Sequence, residues 1–126
     1  MRRLQMKILV VDDDQMMLAA ISKKLKDKAY EVSTTTDAVE ALKILSDEKI
    51  DLVISDVIMP CISGLTFVSM LKNFYFSKVP LILISSYNQD NLILMAHSMG
   101  ASYFIAKPID YDHLFLKIRE FTSDIN

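Results

Sequence analysis

Short, nearly unbroken apolar runs alternate along the chain with longer stretches in which apolar residues return every three or four positions. The runs are Met6 to Val11, Glu31 to Thr34, Ile50 to Ser55, Leu81 to Ser85 and Ser102 to Ala106. The first, third and fourth are almost continuous in Ile, Leu and Val, as a strand covered on both faces requires. The stretches between them read as helices. Leu18, Ile21 and Leu25 form one stripe after Asp14, and Ala38, Leu42 and Leu45 another after Asp37. Both aspartates are of the type that caps a helix N-terminus. Leu65, Val68 and Leu71 follow Gly64, and Leu92, Met95 and Met99 run up to Gly100, a residue suited to the left-handed stop after a helix. Leu114, Ile118 and Phe121 make the fifth stripe.

Strand then helix, repeated five times without a long linker, predicts an α/β fold with a parallel sheet and helices on both faces. A length of 126 residues suits a single domain over 1–126, with its core at about 6–122. The 14 basic and 16 acidic residues leave a formal charge of −2, which argues against a nucleic-acid module. With 52% apolar residues and only two Gly and three Pro, the chain is not a disordered or low-complexity segment. A single cysteine, Cys61, excludes an internal disulfide framework. The uncharged run Ile8 to Val11 is too short for a signal core or a membrane span. The expected setting is the cytoplasm, with no membrane contact.

In an open parallel sheet, ligands sit beyond the carboxyl ends of the strands. Asp12, Asp13 and Asp14 follow the first strand, Asp56 ends the third, Ser85 and Ser86 end the fourth, and Lys107 with Pro108 ends the fifth. A parallel sheet brings all of these to one rim. Asp12, Asp13 and Asp56 against Lys107 leave two uncompensated negative charges, which one divalent hard cation cancels. So few protein ligands suit Mg²⁺, which keeps waters and completes its shell with phosphate. A carboxylate can itself act as nucleophile and form an acyl phosphate. Phosphoryl transfer asks mainly for alignment and charge stabilisation, here by a metal, a lysine and a hydroxyl. Asp56, alone at its strand end, is the expected acceptor, with Asp12 and Asp13 left for the metal.

Val10-Val11-Asp12-Asp13, Asp56 followed by Met59-Pro60 and Gly64, Pro80 leading to Ser85-Ser86, Gly100-Ala101 and Lys107-Pro108 together resemble the receiver domain of two-component response regulators. The likeness covers roughly residues 6 to 122. It implies a doubly wound five-stranded sheet of flavodoxin-like order 2-1-3-4-5. It also implies that Asp56 takes a phosphoryl group from a sensor histidine kinase, a phosphotransfer protein or a small donor such as acetyl phosphate. By the same resemblance, Asp13, Asp56 and the Ile58 carbonyl hold Mg²⁺ directly and Asp12 acts through water. Lys107 pairs with Asp56 and then with the phosphoryl oxygens. Ser85 and Phe104 are the switch residues, Ile58, Ser86 and Tyr87 border the phosphoryl group, and the Lys107-Pro108 peptide is cis. A downstream protein reads the surface of the fourth helix, fifth strand and fifth helix. The result is a signalling module rather than an enzyme with turnover. Two departures stand out: no Asp precedes Gly64 in Cys61-Ile62-Ser63-Gly64, and Phe104 replaces the frequent Tyr.

Two rival readings share the fold. A flavin-binding electron carrier needs a hydroxyl- and glycine-rich loop after the first strand, where Asp12-Asp13-Asp14 would repel the flavin phosphate. A phosphatase with an aspartyl intermediate needs a second acid two residues past its nucleophile, where this chain has Ile58. His97 and His113 have no partner at ligand spacing and read as solvent or partner contacts. Cys61 reads as a packing residue and the lysines from Lys23 to Lys28 as a solvated helix face. Ile93 and Phe115 fall off the core stripes; beside Phe104 they suggest either an exposed apolar face for a partner or a homodimer, or simply extra burial.

Overall fold

The structure, a computed structural model, describes residues 5–56, 69, 79–86, 97, 98 and 100–122. The strands are β1 (Lys7–Val11), β2 (Glu31–Thr35), β3 (Leu52–Asp56), β4 (Leu81–Ser85) and β5 (Tyr103–Ala106). All neighbours run parallel, in the order β2-β1-β3-β4-β5. That is the flavodoxin-like arrangement expected. Helix α1 (Gln15–Asp27) follows β1, α2 (Ala38–Asp47) follows β2, and the C-terminal helix (Tyr111–Thr122) follows β5.

Strand alternation sorts the core into two layers. Ile8, Val10, Leu52, Ile54, Ile82, Ile84 and Ile105 pack with Leu18, Ile21 and Leu25 of α1 and with Leu114, Phe115 and Ile118 of the C-terminal helix. On the other face Leu9, Val11, Val53, Leu81 and Leu83 meet Ala38, Ala41 and Leu45 of α2. β3 and β4 are buried at every position. Each aliphatic side chain there contributes about 1.5–3 kcal/mol by burial.

The caps fall where the residue types place them. The Asp14 side chain accepts from the Met16 and Met17 N–H groups at 2.9 and 3.3 Å, and Asp37 accepts from Val39 N–H at 3.0 Å. Gly100 takes a φ of 115°, the left-handed value that only glycine adopts without cost, just after the helical residues His97 and Ser98. The expected helices from Leu65 and from Leu92 otherwise lie outside the described residues, as do Cys61 and Ile93.

The structure decides two of the surface readings. Phe115 is buried, only 6% exposed, because the C-terminal helix packs against both the sheet and α1 and so hides a wider stripe than its period suggested. Leu116, at 47%, is the exposed apolar residue of that helix. His113 is also not a free surface histidine: its Nε2 lies 3.2 Å from the Tyr103 hydroxyl, with the rings 5.6 Å apart.

At the opposite edge from the strand ends, Lys7 Nζ lies 2.6 Å from Glu48 Oε1, which also accepts from Ser33 Oγ at 3.0 Å. The Lys7 hydrogen bond, with that of Ser33 second, holds the Glu48 carboxyl below the usual carboxylate range. The same contact raises Lys7.

Candidate functional site

The register places the rim residues. Val11 pairs with Ser55 and Asp56 with Ile84, so Asp12 and Asp56 leave adjacent strands side by side. Ser85 pairs with Ala106, and the Lys107 N–H donates to the Ser85 carbonyl at 2.7 Å, which fixes where the lysine starts. The Lys107-Pro108 peptide is cis.

The three consecutive aspartates have three different surroundings. Asp12 is fully buried, its N–H donates to the Thr35 carbonyl at 3.2 Å, and its Oδ1 accepts from Asp14 N–H at 2.9 Å. This local turn, with an aspartate accepting from the backbone two residues on, frees Oδ2 to face the rim. Asp13 is exposed at the bend, and Asp14 is spent on the cap of α1. Asp56 is 7% exposed at the end of β3, with its carbonyl accepting from Ser55 Oγ at 3.0 Å.

One carboxylate oxygen each from Asp12, Asp13 and Asp56 lies within 4.8 Å of the others. The Lys107 stem carries its ammonium past the end of β4 to 3.4 Å from Asp12 Oδ2 and 3.8 Å from Asp56 Oδ2. Only the Asp12 contact is a hydrogen bond, so the pairing with Asp56 expected from sequence is the longer of two ion pairs. Strands spaced about 4.8 Å apart put the lysine, two strands away from Asp56, within reach of both carboxylates. Three hard oxygen donors beside a single cation fit a small divalent ion completed by water and phosphate oxygens.

Ser85 is buried at the end of β4, and Ser86 after it is exposed. Ser85 and Phe104 alternate onto the same sheet face, where Phe104 is half-buried against the Leu83 side of the core. Ile58 and Tyr87 lie outside the described residues. Sequence reasoning missed the backbone contacts of Asp12. The Asp-x-Asp spacing of Asp12 and Asp14 was the available signal for that turn.

Comparison with known proteins agrees with this geometry. The response regulator receiver domain family matches residues 8–119. Transcriptional regulatory protein CrdR of Helicobacter pylori is 30% identical over 121 residues, which are 96% of this chain and 57% of CrdR. Response regulator PleD of Caulobacter vibrioides is 34% identical over 117 residues, 92% of this chain and 26% of PleD. The chain thus spans little more than half, or less, of the length of these curated relatives. Among solved structures, the Vibrio cholerae chemotaxis protein CheY4 superposes with a TM-score of 0.87 at 27% identity, covering 93% of this chain and 98% of that one. Sheet order, rim chemistry and a family match over nearly the whole length converge: the chain belongs to the response regulator receiver domains of two-component signalling.

Proposed function

We propose that Asp56 is the phosphoacceptor of this receiver domain. An Asp56 carboxylate oxygen attacks the phosphorus of phosphohistidine on a sensor kinase or phosphotransfer protein, or that of acetyl phosphate. The new O–P bond forms as the P–N or P–O bond breaks, and the electron pair leaves with the histidine nitrogen or the acetate oxygen. Lys107, poised between Asp12 and Asp56, follows the charge onto the phosphoryl oxygens. Asp13 and Asp56, with the Ile58 carbonyl that the family resemblance adds, would hold Mg²⁺, and Asp12 would act through water; bound there, the ion would neutralise charge on the phosphoryl oxygens.

Ser85 donates its hydroxyl to a phosphoryl oxygen, and Phe104 on the same face follows that movement. Phosphorylation thereby biases two existing states of the surface around β5 and the C-terminal helix, which a downstream protein reads. The family resemblance assigns Ile58, Ser86 and Tyr87 to the border of the phosphoryl group, where they would limit access of water to it.

The observation that carries this reading is the convergence of three carboxylates within 4.8 Å, with Lys107 reaching two of them. The test is intact mass after incubation with acetyl phosphate and Mg²⁺. Wild type gains one phosphoryl group, and Asp56→Asn or omission of Mg²⁺ abolishes the gain. Equal labelling of Asp56→Asn would overturn the assignment.

A further inference from the structure

A second concave site lies beside the rim, between α1 and the end of the edge strand β2. It is a cavity of about 350 Å³, at the small end of the range for small-molecule sites. Gln15 and Ser22 of α1, with Ala19 between them, form one wall, Thr34 and Thr36 the other, and Leu18 the floor. The spacing of Gln15, Ala19 and Ser22 puts them on one helix face. The side chains of Gln15, Ser22, Thr34 and Thr36 make no hydrogen bond to another described residue. Thr35 between the two threonines, by contrast, is tied to the Asp37 backbone, its Oγ1 accepting from the Asp37 N–H at 3.1 Å. Three hydroxyl-bearing residues and one amide-bearing residue thus line the cavity, none of them spending its side chain on a hydrogen bond to another described residue. No charged residue lines it among the described residues, and Asp14 and Asp37, next in sequence to the lining residues Gln15 and Thr36, disfavour an anion.

We propose that this cavity binds a small uncharged polyhydroxy compound, of hexose or cyclitol size. Hydroxyl groups both donate and accept, so a ligand rich in hydroxyls matches walls made of hydroxyls and an amide. Its C–H faces match the Leu18 and Ala19 surface. The inference does not rest on the phosphoacceptor reading, because occupancy needs neither metal nor phosphoryl donor. It does reach the rim, since the Thr35 carbonyl beside this wall accepts the Asp12 N–H at 3.2 Å.

The experiment is a titration of the metal-free protein with glucose and with myo-inositol, read by amide chemical shifts. At least one of the two gives saturable shifts at Ser22, Thr34 and Thr36, and Asp12 follows the same curve. Thr34→Val, an exposed position that keeps its shape, weakens binding about fivefold for the lost hydroxyl. Ala19→Phe, also exposed, fills the cavity and abolishes binding. Glucuronate binds more weakly than glucose. Linear, unsaturated shifts with both polyols would overturn the proposal, as would saturable shifts that neither substitution alters.

Discussion

Asp13→Asn separates the repulsive and the metal-binding roles of the acidic cluster, because Asp13 is the exposed member and the Lys107 ion pairs run to Asp12 and Asp56. Its carboxylate lies within 4.8 Å of those of Asp12 and Asp56. Two unit charges at that distance repel by about 0.9 kcal/mol even in the dielectric of water. Two such pairs give about 1.7 kcal/mol as an upper figure, which the nearby Lys107 charge and the solvent around the exposed Asp13 reduce. Removing the Asp13 charge therefore stabilises the metal-free protein by about 1 kcal/mol, which moves a urea midpoint upward by roughly 0.5 M for a domain of this size. Excess Mg²⁺ reverses the order. At one hundred times its dissociation constant a bound ion adds about 2.7 kcal/mol to the protein that holds it, and the variant has lost a ligand. The assay is urea unfolding by circular dichroism in EDTA and again in Mg²⁺. A variant no more stable than wild type in EDTA would refute the charge argument, and equal stabilisation of both proteins by Mg²⁺ would refute the ligand role.

Other outcomes follow from the same structure. Because the Lys7 contact lowers the folded-state value of Glu48, that carboxylate contributes stability above its unfolded value of about 4.3, lost as pH falls through the lower folded one. Wild type should exceed Glu48→Gln by about 0.5–1 kcal/mol at pH 7, given a pair 23% and 35% exposed, and a gap unchanged down to pH 3 would count against it. Phe115→Ala should lower stability by about 3–5 kcal/mol with unchanged denaturant slope, whereas Leu116→Ala stays near wild type; similar losses at both positions would contradict the burial assignment. Ile58 and Tyr87, two residues beyond Asp56 and Ser85, are bulky and orient water poorly, so Asn or Glu at either position should speed loss of phosphate from the labelled protein; an unchanged decay rate would remove the shielding role.

The rim was legible in sequence because strand ends are positions along a line. Once β1, β3, β4 and β5 are parallel, the register alone brings Asp12, Asp56, Ser85 and Lys107 to a common edge. The caps Asp14 and Asp37 were legible for the same reason, since a cap depends only on residues two or three positions away. Helix faces carry less information. Whether Phe115 is core or surface depends on α1 lying against the C-terminal helix, where Lys28 Nζ sits 5.2 Å from the centre of its ring and Lys24 Nζ 5.4 Å from that of Tyr111. Nothing within the helix itself states that neighbour. Lysines that read as a solvated face thus also cover aromatic rings, and His113 finds Tyr103 across the step from β5 to the helix.

The order of distances around Lys107 follows from the same distinction between line and neighbour. Sequence gives the strand that carries each group, and hence that the lysine, on β5, lies one strand farther from Asp12 than from Asp56. It does not show that Asp12, fully buried, has one oxygen fixed by the Asp14 N–H while the other stands toward the ammonium. A buried carboxylate left without its cation carries a penalty of several kcal/mol, so the shorter contact goes to the more buried partner. Asp56 is thereby left with the longer ion pair of the two, 3.8 Å, and this is the carboxylate that the acceptor role requires to approach phosphorus. Lys107 can therefore follow charge onto a phosphoryl group on Asp56 while its hydrogen bond to Asp12 holds it at the rim.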